Sequence, residues 1–164
     1  MAQNETSGVV PGVAAPYGAP APRRCQICIP LEGPVLDDIG RPRFYDPAEA
    51  DLRLLRSGSA PLLLDHRYDV GALVGVIESA WIEGSALHAT ARFGPTRRCG
   101  EVWSLVSAGV LVHVSMGAIF IPDRAEDGTT WARGWRPYEL SLVAVPRRWS
   151  ATVAPMPAPD VLER

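Results

Sequence analysis

The sequence predicts a mainly β domain with some α, a closed or nearly closed antiparallel β-barrel with short helices packed outside it. Three observations lead there. The chain has 164 residues, 47% of them hydrophobic, which suits one domain with its own core, since single folded units run to roughly 100–200 residues. Apolar and β-branched runs of strand length recur along it, separated by turn chemistry. Only two segments carry helical spacing, and about six strands with two short helices in one domain pack naturally as a barrel with helices outside.

Taken in order, residues 1–24 are rich in Pro, Gly and Ala, and within them only the stretch 8–15, Gly-Val-Val-Pro-Gly-Val-Ala-Ala, is apolar enough for a first strand. Residues 1–7 read as a flexible N-terminus, 8–153 as the domain and 154–164 as a Pro/Ala-rich tail. Cys25-Gln-Ile-Cys-Ile-Pro-Leu reads as a short strand, and 32–42 as turns. Asp46-Pro47 supplies an N-cap and a first-turn proline. With Ala48, Leu52 and Leu55 at helical spacing and Gly58 as a stop, the pattern predicts one helix. Pro61-Leu-Leu-Leu-Asp65 reads as a buried strand that delivers His66 at its end.

From Val70 to Phe93 the pattern predicts a hairpin of 72–82 and 86–93, turning at Glu83-Gly84. Pro95 opens a second helix with Cys99, Val102 and Val106 on one face and Gly109 as its end. Residues 110–121 form a strand carrying Ser115, and 138–145 another carrying Glu139. The charged, Gly-rich 123–134 between them reads as a mobile loop.

Composition narrows the function classes. The formal net charge is −2, and all 16 basic residues are arginines spread along the chain, so the basic stripe of a nucleic-acid binder is missing. No stretch nears the ~20 apolar residues that span a bilayer, and the start lacks a signal pattern, so a cytoplasmic protein without membrane contact is expected. Cys25 and Cys28 form a C-x-x-C pair, but zinc needs four ligands and nothing completes the set, so no metal or cofactor is expected and the thiols read as free.

The residues that could do chemistry are few. His66 at a strand end can be held rigidly and still reach a cleft, although a capping or core role is equally open to it. Ser115, in Val112-His-Val-Ser-Met-Gly117, reads alone as a packing residue. It becomes a nucleophile only with a base in reach and a third group orienting that base. Glu139 sits in Tyr138-Glu-Leu-Ser-Leu-Val-Ala-Val-Pro146, where a buried carboxylate needs a partner unless alternation turns it to solvent. Arg147 and Arg148 follow directly, and backbone N–H groups there could serve an oxyanion. His113, two residues from Ser115, is a rival to Glu139 for the third position.

The order of these motifs, from the apolar run ending in His66 through the hairpin and helix to Val-Leu-Val-His-Val-Ser-Met-Gly-Ala and Tyr-Glu-Leu-Ser-Leu-Val-Ala-Val-Pro, resembles the prohead proteases of tailed bacteriophages. Those are similar in turn to the herpesvirus maturation protease, assemblin, with a Ser-His-His triad on a seven-stranded barrel. The resemblance spans 8–153. It implies an assemblin-like closed barrel of about six or seven strands wrapped by short helices, with Ser115 as nucleophile, His66 as base, Glu139 in place of the second histidine, and Arg147 and Arg148 at the oxyanion hole. Many phage relatives carry Pro-Ala-Asn where this chain has the arginine pair.

The resemblance further implies a serine endopeptidase of capsid maturation. Its substrate would be scaffold or the scaffold-like arm of the major capsid protein. The enzyme would self-associate as a dimer or higher oligomer and act in the cytoplasm of the bacterial host, inside the immature capsid. Two other classes stand beside it: a catalytically silent scaffolding module on the same barrel, and a small-molecule carrier.

Overall fold

Alternation of period two builds the middle of the sheet. In the computed structural model, which describes residues 22–157, Leu87, Ala89, Ala91 and Phe93 are buried and the residues between them are not, as a pleated strand requires. The expected strand at 8–15 lies outside the described residues. The chain runs through β1 (Arg24–Pro30), β2 (Val35–Leu36), β3 (Pro42–Tyr45), β4 (Pro61–Leu64), β5 (Gly75–Glu83), β6 (Ala86–Phe93), α1 (Arg97–Ser107), β7 (Val114–Arg124), β8 (Thr130–Leu142) and β9 (Thr152–Pro155). The protein is thus mainly β with few helices, as expected.

Sheet order is β2-β3-β8-β4-β5-β6-β1-β9, with β7 pairing β8. The long strand β8 organises it. β7 lies antiparallel along one edge of β8, while β3 and then β4 pair in parallel with the other edge at 130–132 and 140–142. Inside lie the fully buried Trp135, Ile27, Leu55, Leu62, Ile77, Leu87 and Leu140, and Trp135 satisfies its indole N–H on the Asp46 carbonyl at 2.7 Å. Helix α1 is capped by Thr96, whose hydroxyl accepts the Cys99 N–H at 3.2 Å. It buries Cys99, Val102 and Val106 against the sheet.

Ladders between the named strands do not close into a barrel. Across the gap from β9 to the start of β7 there is one bridge, His113 to Thr152. Backbone bonds flank it, with Val153 N–H on Val112 O at 2.9 Å and Val114 N–H on Ala151 O at 3.3 Å. At the opposite end of β9 the Met156 N–H reaches the Arg24 carbonyl at 2.8 Å, so the entry and exit of the described chain lie side by side. β9 reaches Pro155, two residues into the stretch expected as tail.

Three expectations are corrected. The single helix over 46–58 is two 3₁₀ turns, Pro47–Glu49 and Leu55–Ser57. Between them Ala50 is extended, the Asp51 N–H is taken by the Trp135 carbonyl and the Asp51 carboxylate accepts the Arg53 N–H, so pairing with β8 and a local side-chain bond displace the helical ladder. The supposed loop at 123–134 is instead the far end of the β7–β8 hairpin. Cross-strand Asp123–Arg133 pairing supports it, and Gly128 turns it at φ 86°. Finally, β2 and β3 occupy a region expected to be turns up to Pro42, since two and four residues are too short to show a period.

Candidate active site

β4 pairs in parallel with the end of β8, Leu62 with Leu140, Leu63 with Ser141 and Leu64 with Leu142. Its apolar side chains enter the core, which fixes where the next residues emerge. Asp65 and His66 then both take left-handed backbone, φ 48° and 54°, a conformation that costs non-glycine residues roughly 1–2 kcal/mol each. Three bonds hold this turn: Asp65 N–H to Leu142 O at 3.0 Å, Arg67 N–H to Leu64 O at 3.1 Å, and His66 N–H to the Ser141 hydroxyl at 3.1 Å.

Glu139 and Ser141 are two apart on β8 and therefore share a face, opposite to the one on which Leu140 and Leu142 enter the core, and both are nevertheless 0% exposed. The carboxylate is fully partnered. Its Oε1 lies 2.6 Å from His66 Nδ1, and its Oε2 accepts from Ser141 Oγ at 2.7 Å. An ionised carboxylate only accepts, so opposite one Nδ1 carries the hydrogen, and in the neutral imidazole Nε2 then keeps a free lone pair.

β7 brings the serine. Ser115 pairs across from Ser141, and Gly117 from Glu139. A Cβ at Gly117 would stand 2.4 Å from Glu139 Oε1 and 2.9 Å from the Tyr138 ring, so glycine makes the room the carboxylate occupies. The register then slips from Gly117–Glu139 to Ala118–Pro137, leaving Tyr138 as the extra residue of a bulge. The Tyr138 hydroxyl meets that of Tyr68 at 2.9 Å, and this contact pushes the Tyr68 phenol up to about 12.

Ser115 and His66 together line two adjoining clefts of about 340 and 350 Å³. No hydrogen bond joins them among the described residues. Arg147 lines both clefts and Arg148 the first. Their guanidinium groups tie the segment after β8 to the turn around β2. Arg147 donates to Leu36 O and to Asp38, and Arg148 to the Glu32 and Gly33 carbonyls at 2.6 and 2.9 Å. Burial lowers the Arg148 pKa.

His113 is placed elsewhere. Its ring packs edge-on to Trp149 at 5.1 Å, its Nδ1 faces the Ala151 carbonyl at 3.4 Å, and it lines neither cleft. Among the described residues no cluster of three or more His, Cys, Asp or Glu could hold a metal. Cys25 is a core residue whose thiol burial pushes up to about 12. No helix among the described residues is long and apolar enough to cross a membrane.

The structure thus brings His66 and Glu139 into contact, sets Ser115 on the same cleft, and separates His113 from both. Sequence reasoning missed Ser141, Gly117 and Tyr138. The first had a readable signal, because a polar residue two positions from a buried carboxylate on a strand shares its face.

No family model matches the chain. Over 102 residues, 58% of the chain, it is 31% identical to the major capsid protein of Halomonas phage phiHAP-1, and the match covers 17% of that protein. The chain therefore matches about a sixth of the relative's length. Among solved structures, the bacteriophage T4 capsid assembly protease, gp21, superposes with a TM-score of 0.49 at 15% identity, covering 76% of this chain and 99% of that one.

Proposed function

We propose that this chain is a serine endopeptidase that cleaves capsid or scaffold protein during phage prohead maturation. One observation carries the reading: a fully buried carboxylate holds Nδ1 of a half-exposed histidine at 2.6 Å, on a cleft whose wall also presents a serine. Burying a carboxylate is costly unless it is paired, and pairing it with the back of an imidazole leaves Nε2 poised as a base. In the proposed reaction Nε2 takes the Ser115 Oγ proton as Oγ adds to the peptide carbonyl carbon. The C–N bond breaks as His66 returns the proton to the leaving amine, and water, activated by the same nitrogen, hydrolyses the acyl-enzyme. The Arg147 backbone N–H together with Arg148 would hold the oxyanion.

Similarity to part of a phage major capsid protein supports capsid protein as substrate and partner. Self-association, action inside the immature capsid in the bacterial cytoplasm, and full closure of the sheet into a barrel of about six or seven strands through the His113–Thr152 bridge belong to the same proposal. That similarity also favours a second reading, a catalytically silent capsid module, because the relative is a structural protein by name. Ser115→Ala separates the two. It should abolish cleavage of co-expressed capsid protein and labelling by a serine-directed fluorophosphonate, since losing such a nucleophile costs on the order of a millionfold in turnover. Stability should move by no more than about 1 kcal/mol. Wild-type processing by the folded variant would leave the silent module as the better account.

A further inference from the structure

The hydroxyl of Ser141 makes two bonds that meet in the same catalytic pair. It donates to Glu139 Oε2 at 2.7 Å and accepts the His66 backbone N–H at 3.1 Å. A hydroxyl has one hydrogen to give and lone pairs to receive, so both bonds are made at once and their directions are fixed. One atom therefore references the carboxylate against the backbone of the residue that carboxylate orients. Each partner keeps a freedom that this hydroxyl limits, beside the two backbone bonds that also hold the turn. Glu139 has a soft terminal torsion, and His66 sits at φ 54° beside Asp65 at φ 48°, a turn that relaxes unless bonds hold it. Ser141 itself cannot wander, since it is 0% exposed on β8, paired with Leu63 on one edge and Ser115 on the other.

We propose that Ser141 is a positioning residue for His66, fixing the ring's tautomer and its aim at Ser115 through these two bonds. The inference rests on the protease reading but goes beyond it, because Ser141 touches neither substrate nor the reacting atoms. Removing the hydroxyl leaves Oε2 without its donor and frees the His66 N–H, so the carboxylate can rotate and the turn can shift while the core stays filled. Turnover should fall about 10- to 100-fold, the range for residues that orient metal ligands from behind. KM should hold, because the cleft walls are untouched.

The test is Ser141→Ala in the full chain, with two readouts. Capsid-protein cleavage gives kcat and KM, and ¹⁵N-detected NMR of the His66 ring gives the tautomer of the neutral imidazole, a quantity that mere loss of stability does not move. Wild type should show a single Nδ1–H tautomer and the variant a mixture, with kcat reduced and KM unchanged. A folded variant that keeps the single Nδ1–H tautomer overturns the proposal, whatever its rate. If Ser141→Ala does not fold, Ser141→Cys, which keeps the volume but donates weakly, is read in the same way. Failure of both to fold would make the hydroxyl a requirement of the fold and also overturn the proposal. Should wild type show no cleavage and no fluorophosphonate labelling, the protease reading falls by itself, and the tautomer still decides the role of Ser141.

Discussion

Glu139 has no contact with water and two partners that both need it as an acceptor. Glutamine at this position has one oxygen to offer instead of two, so its amide either breaks a bond or turns a donor toward Nδ1 and drives the imidazole into the wrong tautomer. Glu139→Gln should therefore lower turnover by about one to four powers of ten, as loss of a triad carboxylate does elsewhere, with little change in melting temperature. His113→Ala, remote from both clefts, should leave turnover unchanged and lower stability through the lost Trp149 contact. The reverse pattern, measured by kinetics and melting curves, would assign His113 the third position. His66, Ser115 and Glu139 could be picked out by the order of the motifs around them, since alone Ser115 reads as packing and His66 is equally open to a capping or core role; only Glu139, a carboxylate in an apolar run, calls for a partner by itself. Ser141 carried a weaker signal, its place two residues from Glu139 on one strand, and by itself a small hydroxyl there reads as packing.

At the scale of strands, the site depends on close contact between β7 and β8, and at Gly117 the Glu139 carboxylate fills the space a side chain would take. Gly117→Ala puts a carbon where the Glu139 carboxylate now lies, so either the carboxylate leaves His66 or the strands part. A destabilisation of about 1–3 kcal/mol, usual for overpacking, should accompany a loss of turnover larger than that of Glu139→Gln alone. Chemical denaturation and kinetics on the same samples check both, and a variant with wild-type activity would show that β7 can yield there. Strand pairing was legible where period and turn agreed, as in β5 and β6, joined at Gly84 and Ser85 with Gly84 at φ 56°. It was illegible at 46–58, where capping residues and apolar spacing suggested a helix. There the Asp51 N–H is claimed by a carbonyl on β8, at Trp135, a competitor that lies 84 residues further along the chain and outside any local pattern. The hairpin end at 123–134 was misread for a related reason: two of its charges, Asp123 and Arg133, are cross-strand partners.

For the whole molecule, the weakest join between strands among the described residues is the passage from β9 to β7. Every other neighbouring pair is a ladder of two or more residue pairs, whereas here there is one bridge with two flanking backbone bonds. Local opening follows the fewest bonds, so the Val114 and Val153 amides should exchange with deuterium faster than amides in the β5–β6 ladder, measured residue by residue under native conditions. Equal protection would mean that the seam opens only with the global fold. The mainly β character could be read in advance, but not the seam, because no residue pattern distinguishes one bridge from a ladder.

The bond from Met156 to the Arg24 carbonyl makes the described stretch of the polypeptide, viewed as a path, almost a circle. A path that ends where it started can be cut at an exposed turn and rejoined where it closes, and it can be spliced into a host chain with little strain. A circular permutant that links Met156 to Arg23 by a few glycines and opens between Gly84 and Ser85, a two-residue turn far in sequence from Ser115, should fold to the same sheet and retain turnover. Circular dichroism, melting and cleavage of capsid protein would test it, and a permutant that folds only with its original ends would mean that chain order, not adjacency, governs assembly. The same geometry makes the domain a portable cassette, able to travel within a much longer polypeptide as one uninterrupted insert.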